Sequence, residues 1–215
     1  ELAQLSAGKF VSLLKKYLRL KGLIIGPDFA LGRNREGDTD TLRALGQNMD
    51  FTVIVVPPVK INGEVVSSTA IRNALIQGDM KRVHNLIGRY FSLSGRVIPG
   101  AGRGIELGFP TANLEVDPEQ VLPPDGVYVT WVYIGDKAYQ SITNIGKNPT
   151  FGGSERTIEV YVLDYYGNLY GDELKIDLVE RLRDEIQFDT VEELKKQIAE
   201  DIKQGRAILS SRGRN

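Results

Sequence analysis

The sequence has no cysteine and a single histidine, His84. Without cysteine there are neither disulfides nor thiolate metal sites, a composition that fits a reducing cytoplasm. One imidazole is too few for a histidine-built metal centre or a hydrolytic triad. No apolar run approaches the roughly 18 residues that a membrane span needs, and no signal peptide is recognisable. No membrane is therefore expected as a partner. The formal net charge is −1, which makes no global case for nucleic acid. Residues 87–190 carry 9 Lys and Arg against 16 Asp and Glu, and such an acidic balance disfavours a phosphate-backbone surface there.

What remains is an ordinary globular composition, 41% hydrophobic and 26% charged over 215 residues, enough for one large domain or two small ones. Glu1 stands first and a helical pattern begins almost at once, so the chain is expected to be part of a longer one. In "SAGKFVSLLKKYLRL", Phe10, Leu13, Leu14 and Leu18 recur at helical spacing behind a Ser6 cap. "GLIIG" and "FTVIVVPPV" read as short buried strands on either side of a helix in "TDTLRALGQNM". Strand and helix thus alternate, as in a parallel α/β layer. Two helices, split at Gly78-Asp79, come next in "SSTAIRNALIQGDMKRVHNLIG".

Near residue 87 the texture changes. Strand patterns rich in β-branched and aromatic residues ("YFSLSGRVI", "GVYVTWVYIG", "AYQSITNIG", "TIEVYVLDY", "ELKIDLVERL") alternate with Gly-, Pro- and Asn-containing turns. Regular spacing of that kind predicts an antiparallel barrel or sandwich. A closing amphipathic helix starts at a capping box of Thr190 and Glu193. The domain boundary is expected between residues 86 and 87.

Four stretches can carry chemistry. In "GRGIELGFPTANL", Gly102, Gly104 and Gly108 can turn backbone N–H groups toward phosphates, while Pro110 stiffens the backbone ahead of Thr111. Thr111 and Asn113, two apart on an extended chain, share a face and offer hard oxygens to Mg²⁺. A plain glycine-rich hairpin fits the same residues. Ser67, Ser68, Thr69 and Arg72 open a helix, where free N–H groups favour an anion, though they suit an ordinary cap equally. Glu159 alternates with Ile158 and Val160. On the inner face of a barrel its carboxylate would be costly to bury and would take a proton; on an outer face it would be a solvated glutamate. Arg183 and Phe188 suit a flat heteroaromatic ring, or a salt bridge and a core anchor.

Taken together, "GFPTANL", "GVYVTWV", "TNIGKNPTF", "IEVYVLDYYGNLYG" and "LRDEIQF" occur in the order and spacing of the flavokinase (riboflavin kinase) family. Upstream, "GPDFALGRNREGD" and "VVSSTAIRNAL" resemble the second half of the FMN adenylyltransferase domain that precedes the kinase in bifunctional bacterial enzymes. The resemblance implies an α/β, nucleotidyltransferase-like part over residues 1–86. It also implies an antiparallel β-barrel of about six strands with a C-terminal helix over residues 87–215.

It further implies riboflavin and ATP as substrates and FMN and ADP as products. ATP would lie on the loop of Gly102, Gly104, Gly108 and Pro110, with Thr111 and Asn113 as phosphate and Mg²⁺ ligands. Glu159 would be the general base, and Arg183 and Phe188 would lie on the flavin side. Ser67, Ser68, Thr69 and Arg72 would form the nucleotide-phosphate motif of adenylyl transfer. That domain's N-terminal motif, two histidines flanking a glycine, has no counterpart here. Kinase activity is therefore expected of these residues, and FAD synthesis is not. A β-barrel binding module without catalysis is the alternative.

Overall fold

The structure, a computed structural model, describes residues 2–147 and 156–212. The end of "TNIGKNPTF" and the Gly152-Gly153 turn lie outside the described residues. The chain divides into two compact units between Val65 and Val66.

In the first unit, caps start the helices. The Ser6 side chain accepts from the Lys9 N–H to open α1 (Ala7–Leu18), and Asp38 accepts from the Thr41 N–H to open α2 (Thr39–Met49). Strands β1 (Gly22–Ile25) and β2 (Thr52–Val55) pair in parallel, the arrangement expected from the strand–helix alternation. Val11, Ile25, Leu42 and Phe51 form their core. A short antiparallel pair, β3 (Lys60–Ile61) and β4 (Glu64–Val65), ends the unit.

The second unit is a closed antiparallel barrel. Its strands are β5 (Phe91–Ile98), β6 (Ala112–Val116), β7 (Gly126–Ile134), β8 (Lys137–Lys147), β9 (Arg156–Val162) and β10 (Glu173–Arg183), in the spatial order β10-β5-β6-β9-β8-β7. Alternate residues of each strand fill the interior: Leu93, Val97, Leu114, Tyr128, Ile145, Ile158, Val160 and Ile176. Burying each large apolar side chain is worth about 1.5–3 kcal/mol, so this face holds the strands in register. Hydroxyls inside are paired. The Thr130 hydroxyl bonds those of Ser141 and Thr143 at 2.7 and 2.8 Å, and the Tyr128 hydroxyl donates to the Pro124 carbonyl at 2.6 Å.

Helices cover what the strands leave open. Helices α3 (Ser68–Ile76) and α4 (Met80–Ile87) send Ala74, Leu75, Met80, Val83 and Leu86 into the barrel's core. The sequence texture changes near residue 87, just ahead of the first barrel strand; the packing boundary lies at Val66, because the apolar face of these two helices closes the barrel. Helix α6 (Val191–Ser211) lies on the outer side, where Leu209 joins Val127, Val129, Trp131, Ile142 and Val179. Gly205 lets it approach: a Cβ there would stand 2.5 Å from Ile142 Cδ1.

Candidate active site

Register builds the site. Glu159 on β9 is opposite Asn113 on β6, and on its other side opposite Asn144 on β8. Asn144 is opposite Val127 on β7, which is opposite Arg183 on β10. Directly opposed residues share a face, so one row runs Asn113–Glu159–Asn144–Val127–Arg183 across five strands. Because Ile158 and Val160 fill the interior, the row lies on the outer surface of the barrel. Of the two placements open to Glu159, the outer one holds, and there it is half-buried rather than fully solvated. A barrel this narrow has its lumen filled by side chains, and the chemistry is on its wall.

That wall is covered from two sides. From one comes the glycine-rich stretch, which carries a short helix, α5 (Arg103–Leu107), between Gly102 and Gly108 in the left-handed region. Gly104 packs against the Phe109–Thr111 segment: a Cβ there would collide with the Phe109 carbonyl and stand 3.2 Å from Thr111 Oγ1. From the other side comes the segment 184–190 with α6. Arg183 donates from Nε and Nη2 to both carboxylate oxygens of Asp201 on α6, at 2.7–3.1 Å, and Gln197 adds a bond of 2.9 Å to the same carboxylate. Asp201 is buried.

Arg183 reaches that partner through irregular pairing. The β10–β7 register shifts between Leu178 and Glu180 and again between Arg181 and Arg183. Strict alternation would put Arg181 and Arg183 on one face. The second bulge turns Arg183 outward beside Val127, while Arg181 bonds the Asp125 carbonyl at 2.5 Å.

Two recesses meet at Glu159. The first, about 160 Å³, is polar and is lined by Gly102, Gly104, Thr111, Asn113, Lys147 and Glu159, among others. The second, about 390 Å³, is walled by Phe109, Ile142, Tyr161, Phe188, Leu194 and Ile198. Arg103, Gly104, Thr111, Asn144 and Glu159 belong to both. Thr111 Oγ1 donates to Glu159 Oε2 at 3.2 Å, joining the two motif residues at the boundary. Phe109 and Tyr161 meet edge to face, with ring centroids 5.6 Å apart. Burial is the main cause that raises the pKa of the Tyr161 hydroxyl, helped by Tyr166 and Asp164, so it stays protonated through the neutral range.

The glycine-rich stretch and the alternation around Glu159 thus converge, and Arg183 and Phe188 line the apolar recess. Pro110 lines a third recess beside Thr111, with Val97, Tyr165 and Leu169. Gly108 caps α5. Ser67, Ser68, Thr69 and Arg72 are exposed at the start of α3, where the Ser67 hydroxyl accepts from the Ala70 N–H at 3.1 Å; none of them lines the recesses at Glu159. Sequence reasoning missed Asn144 and Lys147. Alternation along "QSITNIGK" puts Asn144 on the outward face, but only the register sets it beside Glu159.

A family model described as riboflavin kinase matches residues 87–209, the whole barrel and most of α6. The chain belongs to the riboflavin kinase family. A second model, FAD synthetase, matches residues 1–70. The bifunctional riboflavin kinase/FMN adenylyltransferase of Escherichia coli strain K12 is 39% identical over 201 residues, covering 93% of this chain and 64% of that protein. The Pseudomonas fluorescens protein of the same name is 38% identical over 211 residues, 97% of this chain and 68% of that one. The chain thus spans about two thirds of the length of these riboflavin kinase relatives.

A solved structure described as a macrolide-efflux protein from Streptococcus pneumoniae has a TM-score of 0.85 at 33% identity, covering 95% of this chain and 66% of that one. Among the described residues of this riboflavin kinase family member, no helix is long and apolar enough to cross a membrane.

Proposed function

We propose that residues 87–215 transfer the γ-phosphoryl group of ATP to the 5′-hydroxyl of riboflavin, giving FMN and ADP. One observation carries the reading: Glu159 lies at the seam of a polar and an apolar recess, reachable from both. A phosphoryl transfer between a flat, largely apolar acceptor and a polyanionic donor needs that division. The Phe109, Tyr161 and Phe188 side accommodates the flavin ring, and the Gly102, Gly104 and Lys147 side the phosphates. The apolar recess around Pro110 and Leu169 adjoins Thr111 and suits the base of the nucleotide.

Glu159 takes the hydroxyl proton as that oxygen bonds to the γ-phosphorus, and the bond to the β-phosphate oxygen breaks. Thr111 and Glu159 hold each other in place, so the base is oriented before substrate arrives.

Magnesium fits the donor set. Thr111 donates its hydroxyl hydrogen bond to Glu159, which turns the hydroxyl lone pairs away from the carboxylate, and Asn113 shares its outward face. Both are the hard oxygens Mg²⁺ takes. Among the described residues no group of three or more His, Cys, Asp and Glu could hold a metal alone, so phosphate oxygens would complete the shell. When bound, Mg²⁺ would neutralise charge on the β- and γ-phosphate oxygens.

The ATP chemistry suits a cytoplasmic setting. For residues 1–86 we infer a part of the FMN adenylyltransferase, with Ser67, Ser68, Thr69 and Arg72 as its phosphate-contacting group, supported by their exposure at a helix start. Incubating the chain with riboflavin, ATP and Mg²⁺ and separating flavins by chromatography tests the kinase reading. FMN is expected, and its absence overturns the reading.

A further inference from the structure

Asn144 stands in the outward row beside the proposed base and lines both recesses; it lies within "TNIGKNPTF", a stretch of the family resemblance that assigns it no role. Its amide Nδ2 donates to Glu185 Oε1 at 3.1 Å. Glu185 belongs to the segment that leaves β10 after the Arg183 anchor, and its carboxylate lies over β8. The Glu185 carboxylate lies close over Gly146, where an added Cβ would push it aside.

This contact removes the ambiguity of the amide. An ionised carboxylate only accepts hydrogen bonds, so the NH₂ end of Asn144 must face Glu185. Its carbonyl, Oδ1, is thereby turned the other way. An amide oxygen accepts; it complements a hydroxyl and not a phosphate, which brings acceptors of its own. We infer that Asn144, oriented by Glu185, is a specificity-determining contact for the acceptor. Its Oδ1 accepts from a hydroxyl of the acceptor's polyol chain and lines up the terminal hydroxyl with Glu159. Glu185 is a positioning residue that acts through Asn144.

The inference rests on the kinase reading, and it separates the polyol chain from the ring. The flavin ring is held by Phe109, Tyr161 and Phe188, which Asn144 does not replace. Losing one oriented hydrogen bond typically costs about five- to tenfold in binding.

The test compares riboflavin with lumiflavin, which has the same ring and a methyl group in place of the polyol chain. Flavin fluorescence gives both affinities for the wild type, Asn144→Ala and Glu185→Gln, with circular dichroism confirming each fold. Asn144→Ala is expected to weaken riboflavin about five- to tenfold and leave lumiflavin within twofold. Glu185→Gln lets the amide turn over, because a glutamine can donate to Oδ1; it is expected to raise KM for riboflavin by several-fold with KM for ATP unchanged.

Equal weakening of both flavins, or no weakening, in folded Asn144→Ala overturns the assignment of Asn144 while FMN production by the wild type stands. A Glu185→Gln variant with wild-type KM for riboflavin overturns the positioning role. No FMN from the wild type overturns the kinase reading, and this inference with it.

Discussion

Thr111 and Glu159, 48 residues apart in the chain, are joined by a 3.2 Å hydrogen bond from the threonine hydroxyl to the carboxylate. The bond has two consequences. It points the hydroxyl lone pairs away from Glu159, and it fixes the carboxylate at the seam between the two recesses.

Glu159→Gln is therefore expected to lower kcat for riboflavin phosphorylation while leaving flavin affinity nearly unchanged. The amide preserves size and one acceptor oxygen, so Thr111 keeps its partner. Loss of a general base typically costs about 10²–10⁴ in rate. Phosphoryl transfer passes through a loose transition state, which puts the expected loss at the lower end. Steady-state kinetics beside flavin fluorescence measure the two effects, and a loss under about tenfold would assign Glu159 a merely structural place.

Thr111→Ala and Asn113→Ala are expected to raise the Mg²⁺ concentration needed for half-maximal turnover, each by about tenfold or more. Chelator should abolish FMN formation in the wild type, because the transferred charge would then go unneutralised. Titrating Mg²⁺ at fixed ATP checks this. An unchanged Mg²⁺ dependence in both variants would leave the pair as wall residues only.

The ion pair between Arg183 and buried Asp201 ties β10 to α6. Arg183→Ala would strand the Asp201 carboxylate with Gln197 as its remaining partner. Removing one member of a buried pair costs about 3–5 kcal/mol. Urea denaturation is expected to show a loss of that order. Because Leu194 and Ile198 on α6 wall the apolar recess, riboflavin affinity should fall as well. A loss below about 1 kcal/mol would mean that apolar packing alone seats the helix.

Asp38 provides a pH-dependent contribution in the first unit. Its hydrogen bond from the Thr41 backbone N–H, at the start of α2, lowers its pKa below the ordinary value of 3.8. A lowered folded-state pKa means stabilisation that is fully present above the unfolded value and lost as pH falls through the folded one. Asp38→Ala should therefore melt earlier at neutral pH, with the gap narrowing as pH falls below 3.8 and through the lowered folded value. Asp38→Asn keeps the cap without the charge and should lie between them. Thermal melts across pH 2–7 resolve the three, and a gap independent of pH would exclude the carboxylate's charge as the cause.

Local pattern was enough for much of this protein. Ser6, Ser67 and Thr190 each cap the helix their position predicts. Period-two alternation sends Ile158 and Val160 one way and Glu159 the other, and places Thr111 and Asn113 on a common face. These outcomes depend on residues within a few positions of each other. The identity of Glu159's neighbours does not. Asn113 and Asn144 flank it because β9 pairs with its chain neighbour β8 on one side and with the distant β6 on the other, a register that barrel closure and a filled apolar interior select together. The same closure put Glu159 on the outer wall. A bulge turned Arg183 away from Arg181 and toward Asp201, and the apolar face of α4 drew residues 68–87 onto the barrel. Each depends on packing between segments whose separation along the chain carries no trace of their contact in space.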